Sequence, residues 1–159
     1  MTRDPRADLQ DTRVDVKIVL SSLWVSMMFV FAYVDIFGFW RADVINGALV
    51  GKVPGPGFEI NQAFLAYTTV YVLIPSLMVV VSLLAPARAN RVANIAVSLI
   101  YVASVVGSML GETWIYYILG TLVEVILLLA VARTAWSWPR RPASVTTADD
   151  EVPASAVAP

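Results

Sequence analysis

Two acidic residues lie inside long apolar stretches of the sequence. Asp35 lies in the stretch between Lys17 and Arg41, and Glu124 lies in a stretch that ends at Arg133. A charged side chain at the centre of a lipid bilayer costs about 2.5 to 3.5 kcal/mol, so that it needs a partner, a proton or a function. These two acids are therefore the first candidates for chemistry in this chain.

The amino-acid composition excludes most catalytic chemistry. The chain has no Cys and no His, which excludes thiol and imidazole catalysis, zinc fingers and disulfide frameworks. Only carboxyl and tyrosine groups remain for acid-base work. We therefore predict no catalytic residue, no metal site and no cofactor, and we expect the chain not to be an enzyme. Eleven basic residues against 12 acidic ones give a net charge of −1, so we expect no nucleic-acid partner.

The elements that must position the two acids are four apolar segments. Hydrophobic residues make up 58% of the chain and charged residues only 14%, far from the balance of soluble domains. The predicted spans are residues 18–40, 63–84, 92–111 and 113–132. A helix of about 20 residues crosses the 30 Å hydrocarbon core of a bilayer. Because the second and third connections are short, consecutive spans must pack antiparallel. The sequence thus predicts an all-α polytopic membrane protein, a four-helix up-down-up-down transmembrane bundle over residues 17–138.

Basic residues are distributed unevenly between the two sides of this bundle. Only Arg41 and Lys52 fall in the first connection and none in the third, which leaves nine of the 11 on the side of the chain termini. The positive-inside rule then predicts a multi-pass protein of the plasma (inner) membrane with both termini in the cytoplasm. Residues 1–16 are a predicted cytoplasmic segment, and residues 139–159 a predicted disordered cytoplasmic tail. The Gly- and Pro-rich first connection predicts turns rather than a phosphate-binding loop.

Helical spacing brings further polar residues to the depth of Glu124. This residue lies about 16 Å from one end of its span, near the middle of the bilayer. Tyr101 is the midpoint of the third span, and its hydroxyl is a candidate hydrogen-bond donor to Glu124. Ser98 shares a polar stripe with Tyr101, and Thr121 shares a helix face with Glu124. The predicted buried polar centre contains Glu124, Tyr101, Thr121 and Ser98.

Two other features affect the interpretation of this centre. Pro75 has no N–H group, which leaves the carbonyl of Tyr71 free inside the second span. Small residues on the third span, Ala103, Gly107 and Gly111, favour close helix contacts. The polar stripes are therefore explained either by a polar interior or by helix packing alone.

A second candidate cluster is predicted where the first and third spans end. Asp35, Arg41, Glu112 and Trp114 lie at similar depth, so that Arg41 can pair with either acid. The cluster is either an ion pair that holds helix ends together or the mouth of a ligand site.

Five segments of the sequence resemble a small four-span bacterial membrane family that is catalogued as a domain of unknown function. They are Tyr33–Ile36, Pro86–Arg91, Gly111–Trp114, Leu122–Val125 and Ala135–Pro139. The likeness covers roughly Asp11 to Pro139. The resemblance implies a polytopic membrane protein, and it carries no activity, cofactor or substrate.

The sequence leaves two functions open. The first is a non-enzymatic membrane protein that acts through a homo-oligomer or a membrane partner protein, with the lipid bilayer as its environment. The second is a small proton-coupled transporter or carrier that uses Glu124 in a polar bundle interior. Because a single four-helix bundle is expected to enclose little volume, the second would require a dimer or a larger assembly. The sequence favours the first.

Overall fold

The computed structural model describes residues 12–139 and contains five helices in this range. They are α1 (Val16–Gly38), α2 (Ala42–Leu49), α3 (Gln62–Leu84), α4 (Ala87–Ser108) and α5 (Ile115–Trp136). All of them except α2 are long and apolar enough to cross a membrane, with mean hydropathies between 1.5 and 2.3. The predicted all-α fold with four membrane-spanning helices is confirmed.

The helix bounds differ from the predicted spans where the sequence is polar. α4 begins at Ala87, five residues before the predicted third span, and its first turn carries Arg88, Asn90 and Arg91. Because this turn is polar, it is not detected by a search for apolar segments. Pro86, directly before the helix, is a residue type that often occurs where helices begin. α5 continues to Trp136, four residues beyond the predicted fourth span.

The first connection is more ordered than a series of turns. Residues 42–49 form α2, which the sequence analysis did not predict. The following segment does turn as expected: Gly51, Gly55 and Gly57 have positive φ angles of 70°, 83° and 70°, a region that suits glycine. Residues 1–11 of the predicted cytoplasmic segment and residues 140–159 of the predicted tail lie outside the described residues.

Side chains at the helix starts replace missing backbone partners. Asp15 Oδ1 accepts a hydrogen bond from the N–H of Lys17 at 2.8 Å, before α1. Asn61 Oδ1 accepts from the N–H of Phe64 at 3.0 Å, before α3. Such caps satisfy amide groups that have no partner in the first helical turn. They fix where two of the membrane helices begin.

The four long helices are packed unevenly. α1 packs against α3 and α5, and α5 also packs against α4, while α3 and α4 contact each other less than these three pairs do. We call the side with residues 12–15, 85–86 and 137–139 the termini side and the side with α2 the loop side. In the termini-side half, the fully buried apolar side chains are Leu20, Trp24, Met27, Leu128, Val131 and Ala135. That half is the packed core of the bundle.

A buried hydrogen-bond network ties three helices together in the same half. We call Trp24, Ser82, Asn90 and Asn94 the asparagine network. Asn94 Oδ1 accepts from Trp24 Nε1 at 2.7 Å and from Ser82 Oγ at 3.2 Å. Asn90 Nδ2 donates to the carbonyl of Ser82 at 2.7 Å, and Asn94 Nδ2 donates to Asn90 Oδ1 at 2.6 Å. Buried polar groups that are fully paired in this way fix one arrangement of the helices.

Candidate functional site

The loop-side half of the bundle has a partly open cavity of about 400 Å³, which we call the central cavity. All four long helices contribute to its walls. Its polar lining residues are Asp35, Tyr67, Thr68, Tyr71, Ser104, Ser108, Tyr117, Thr121 and Glu124. Because α3 and α4 contact each other only sparsely, they leave room that a closely packed bundle would fill. The sequence analysis expected little interior volume, whereas one chain alone has a partly open cavity whose volume is in the range of ordinary ligand sites.

Glu124 lines this cavity from the middle of α5. It lies nine residues after the first residue of the helix, a rise of about 14 Å. Its side chain is only 3% exposed, and it has no hydrogen bond or ion pair to any residue in the range 12–139. Every polar side-chain atom of this range that is fully shielded from solvent has a hydrogen-bond partner. Because the carboxylate oxygens of Glu124 have no partner, they are not fully shielded, and they face the cavity that Glu124 lines.

Tyr101 does not pair with Glu124. Its hydroxyl donates instead to the backbone carbonyl of Tyr71. Pro75 lies four residues after Tyr71 in α3 and cannot donate the helical hydrogen bond to it. The carbonyl of Tyr71 is thus free, as predicted, and a free carbonyl in an apolar bundle needs a hydrogen-bond donor. Tyr101 supplies that donor, which is why the predicted hydrogen bond from Tyr101 to Glu124 was wrong.

The other members of the predicted polar centre are divided between the two halves of the bundle. Thr121 is 3% exposed and lines the central cavity together with Glu124. Ser98 is fully buried, and its hydroxyl donates to the carbonyl of Ile95 in its own helix at 3.2 Å. The structure thus brings Glu124 and Thr121 together and places Ser98 and Tyr101 outside the cavity wall.

Two hydroxyl pairs line the cavity that the sequence analysis did not identify. The hydroxyls of Tyr71 and Ser104 lie 3.0 Å apart and join α3 to α4. Tyr117 donates to Ser108 Oγ at 3.0 Å and joins α5 to α4. The spacing of Ser104 and Ser108, one helical turn apart, was a signal that both serines share a face of α4. The pairing itself depends on how the helices are rotated.

A second cavity of about 880 Å³, the loop-side cavity, lies between α2, the Gly- and Pro-rich segment and the helix ends. It shares Val34, Asp35, Ser108 and Tyr117 with the central cavity. The two cavities are therefore adjacent, with Asp35 at their junction. Glu124 lines the central cavity only.

The predicted ion pair of Arg41 is made with Glu112, not with Asp35. Arg41 Nη1 lies 2.8 Å from Glu112 Oε2, and Arg41 Nη2 lies 2.7 Å from Asp43 Oδ2. The guanidinium carbon lies 4.8 Å from the centre of the Trp114 ring, within the range of a cation–π contact. Arg41, Asp43, Glu112 and Trp114 form what we call the arginine cluster. Asp43, two residues after Arg41, was not predicted.

The charges of the arginine cluster stabilise each other. The hydrogen bond from Arg41 lowers the pKa of Asp43, and hydrogen bonds to Asp43 and Glu112 raise the pKa of Arg41. Burial opposes ionisation of Glu112, but hydrogen bonds from Arg41 and from the N–H groups of Trp114 and Thr113 outweigh it and lower the pKa of Glu112. The cluster therefore remains ionised around neutral pH.

In the part of the chain that the structure describes, no group of three or more acidic residues is arranged to hold a metal ion. The central cavity has two carboxyl groups, Asp35 and Glu124, and its other polar atoms belong to hydroxyl groups. This arrangement can hold a proton or a positive charge and can form hydrogen bonds.

Comparison with known proteins places the chain in a family. A family model described as a family of unknown function (DUF6326) matches residues 9–144, and the chain belongs to this family. The match agrees with the resemblance noted in the sequence. No curated protein and no solved structure matches the chain.

Proposed function

We propose that this member of a family of unknown function is a small carrier that moves a solute across the membrane in exchange for a proton on Glu124. The observation that carries the proposal is the unpaired carboxylate of Glu124 in the wall of the central cavity. At mid-membrane depth an ionised carboxylate without a partner is costly. Glu124 therefore holds a proton when the cavity is empty and releases it when a solute stabilises the charge.

The shape of the bundle supports the same proposal. The central cavity adjoins the loop-side cavity through Asp35, so that solute and protons have a route from that side. On the termini side, the packed core and the asparagine network close the route. A carrier alternates between two states, one open only to one side of the membrane and the other open only to the opposite side.

The loosest helix contact indicates where the alternate state would open. α3 and α4 contact each other less than the other packed helix pairs do. On the termini side they are joined by Ser82, Asn90 and Asn94. In this proposal, separation of these side chains opens the termini side, and α3 closes over the central cavity.

The proposal includes no enzymatic step, and it places the protein in the bacterial plasma membrane with both termini in the cytoplasm. Support for this orientation comes from the nine basic residues on the termini side, against Arg41 and Lys52 on the other. The loop-side cavity would then open to the outside of the cell.

Proton flux in reconstituted vesicles tests the carrier. Phosphatidylcholine vesicles with a trapped pH-sensitive dye and an acidic interior receive phenyltrimethylammonium, ribitol or benzenesulfonate outside. We expect at least one of these solutes to speed the loss of the pH gradient in vesicles that contain the protein. Glu124→Gln removes the effect, because it cannot exchange a proton.

Glu59→Gln is the matched control, since Glu59 is an exposed carboxylate of the first connection outside both cavities. We expect it to behave as the unmodified protein does. The carrier proposal fails if no solute changes the flux, or if Glu124→Gln retains the solute effect.

Association is the second candidate function, and one observation favours it. Gly107 is exposed in α4 and belongs to the lining of the loop-side cavity, and a Cβ atom added there would contact nothing within 4 Å. The chain's own packing does not require glycine at this position, whereas close approach of a second copy would. Light scattering of the detergent-solubilised protein tests this. We expect a dimer that Gly107→Leu converts to monomers, and a protein that is monomeric from the start contradicts it.

A further inference from the structure

The central cavity has the chemistry of a site for a positively charged ligand. Asp35 and Glu124 are the charged side chains that line it, and no Lys or Arg is among its lining residues in the described chain. Glu124 is 3% exposed and has no hydrogen-bond partner in the range 12–139. A buried carboxylate without a partner is strongly destabilised. A cation in the cavity would supply the missing partner.

Aromatic rings form much of the remaining wall. The cavity is lined by Phe31, Phe64, Tyr67, Tyr71 and Tyr117. The ring centre of Tyr71 lies 6.0 Å from that of Phe31 and 6.4 Å from that of Tyr67. Aromatic faces attract cations and also bind apolar groups. The wall therefore suits a ligand that combines a positive charge with an apolar body.

The size of the cavity argues against a bare metal ion. Hard divalent cations take about six to eight oxygen ligands at 2.0 to 2.6 Å. The cavity of about 400 Å³ offers two carboxyl groups among hydroxyl and apolar side chains, and no three acids of the described residues are placed to hold a metal ion together. A volume of this size matches a small organic molecule instead.

We infer that the central cavity binds a small organic cation, with its ammonium or similar group at Glu124 and its apolar part against Phe31, Phe64 and Tyr67. This inference rests on the proposed carrier function and names its substrate class. As the cation binds, Glu124 releases one proton to water in the cavities, and a proton returns when the cation leaves. One positive charge replaces another, so that the net charge of the buried site does not change.

The entry path is compatible with a cation. Asp35 lies at the junction of the two cavities, between the loop side and Glu124. Arg41 also lines the loop-side cavity, but its charge is compensated by Glu112 at 2.8 Å and Asp43 at 2.7 Å. A cation that approaches from the loop side therefore meets no uncompensated positive charge from this arginine and passes one carboxylate before it reaches the second.

Protons compete with the cation at a defined set of groups. The titratable residues that face Glu124 across the cavity are Asp35 from α1, Tyr67 and Tyr71 from α3, and Tyr117 from α5, while α4 contributes hydroxyl groups and an apolar side chain. Of these groups, the two carboxyl groups can each take up a proton in place of the cation. We therefore expect cation affinity to fall as the pH is lowered.

Calorimetry in nanodiscs of phosphatidylcholine tests the inference by equilibrium binding, independently of transport. The probes are phenyltrimethylammonium and benzenesulfonate, which share a ring but carry opposite charges. We expect the cation to bind with about one proton released and the anion not to bind. Glu124→Gln should weaken cation binding by about tenfold or more, and Glu59→Gln should leave it unchanged.

A measurement on the unmodified protein keeps the test valid if Glu124→Gln does not fold. Cation affinity is measured between pH 8 and pH 5, and it should fall steadily on acidification. Equal binding of both probes, equal binding by Glu124→Gln, or an affinity independent of pH would overturn the inference. Cation binding without solute-driven proton flux would contradict the carrier alone, and flux driven only by ribitol would contradict the substrate class alone.

Discussion

The carboxylates of Glu112 and Glu124 have opposite environments in this protein. Glu112 is held by Arg41 at 2.8 Å and by two backbone N–H groups. Glu124 is more deeply buried and has no partner in the described chain. The first arrangement stabilises a fold, because opposite charges satisfy each other. The second stabilises nothing by itself, which is why we assign function to Glu124 and structure to Glu112.

Neutralising Glu112 should lower stability. Glu112→Gln keeps the shape of the side chain and removes its charge, so that partly buried Arg41 retains only Asp43. We expect the free energy of unfolding at pH 7 to fall by about 1 to 2 kcal/mol. Thermal unfolding in detergent, followed by tryptophan fluorescence, measures the change. Glu59→Gln, on an exposed loop, is the control that should have little effect.

The same ion pair predicts a dependence on pH. Since the pKa of Glu112 is lowered in the folded protein from its usual 4.5, its contribution is complete above that value and is lost as the pH falls through the lower folded pKa. The difference in Tm between the unmodified protein and Glu112→Gln should therefore be constant from pH 7 to about 5.5 and shrink below about 4.5. A difference that grows on acidification would contradict the assignment.

At the level of helices, a break in α3 is repaired by α4. Pro75 cannot donate to the carbonyl of Tyr71, and the hydroxyl of Tyr101 does so instead. The rings of Tyr71 and Tyr101 also lie 4.8 Å apart. The proline therefore creates an acceptor, and the neighbouring helix is held against it.

A double-mutant cycle tests this repair. Tyr101→Phe removes the donor and should lower the free energy of unfolding by about 1 to 3 kcal/mol, because the carbonyl is left unpaired. In the Pro75→Ala background an alanine N–H can take that carbonyl, and the cost of Tyr101→Phe should be clearly smaller. Equal costs in both backgrounds would show that the hydroxyl does not serve the freed carbonyl.

Two glycines on different helices make a matched pair of substitutions. A Cβ atom at Gly120 in α5 would overlap the side chain of Val34 in α1, whereas one at Gly107 in α4 meets nothing within 4 Å. Gly120→Ala should therefore destabilise the protein by about 1 to 3 kcal/mol. Gly107→Ala should be neutral or stabilising by up to about 1 kcal/mol, as alanine favours helix. Unfolding in detergent compares them, and similar effects would contradict the α1–α5 packing.

Across the whole molecule, the two halves of the bundle differ in packing. The termini-side half contains the fully buried core and the asparagine network, and the loop-side half contains both cavities. In the carrier proposal, this difference provides the open and the closed side. It is also why the carrier proposal belongs to the entire bundle and not to Glu124 alone.

Cysteine labelling can map this difference, because the chain has no cysteine of its own. A charged, membrane-impermeant methanethiosulfonate is added to the loop side of reconstituted vesicles. Thr121→Cys, in the central cavity, should react, because water reaches it there. The two controls are Thr69→Cys and Ser98→Cys. Thr69 lies on an exposed face of α3 that we expect lipid to cover, and Ser98 is fully buried. Both should react about tenfold more slowly or not at all. Equal reactivity of Thr121→Cys and Thr69→Cys would contradict a water-filled cavity.

The sequence by itself determined the membrane helices and the depth of their polar residues. Long apolar segments are stable only in lipid or in a protein core, so the apolar segments of the sequence indicated the four spans. A rise of 1.5 Å per residue then gave the depth of Glu124. Pro75 likewise fixed a free carbonyl at Tyr71, because that effect is local to one helix. α2 and the first turn of α4 were missed, because their polar residues carry no apolar signal.

Only the tertiary structure decided which polar groups meet. The partner of Tyr101, the choice of Glu112 rather than Asp35 by Arg41, and the hydroxyl pairs of Tyr71 and Tyr117 all depend on how each helix is rotated and tilted. A helical period shows which residues share a face, but it does not say what that face opposes. The central cavity arises in the same way, from the sparse contact between α3 and α4, because the space between helices is a property of their arrangement and of no single segment.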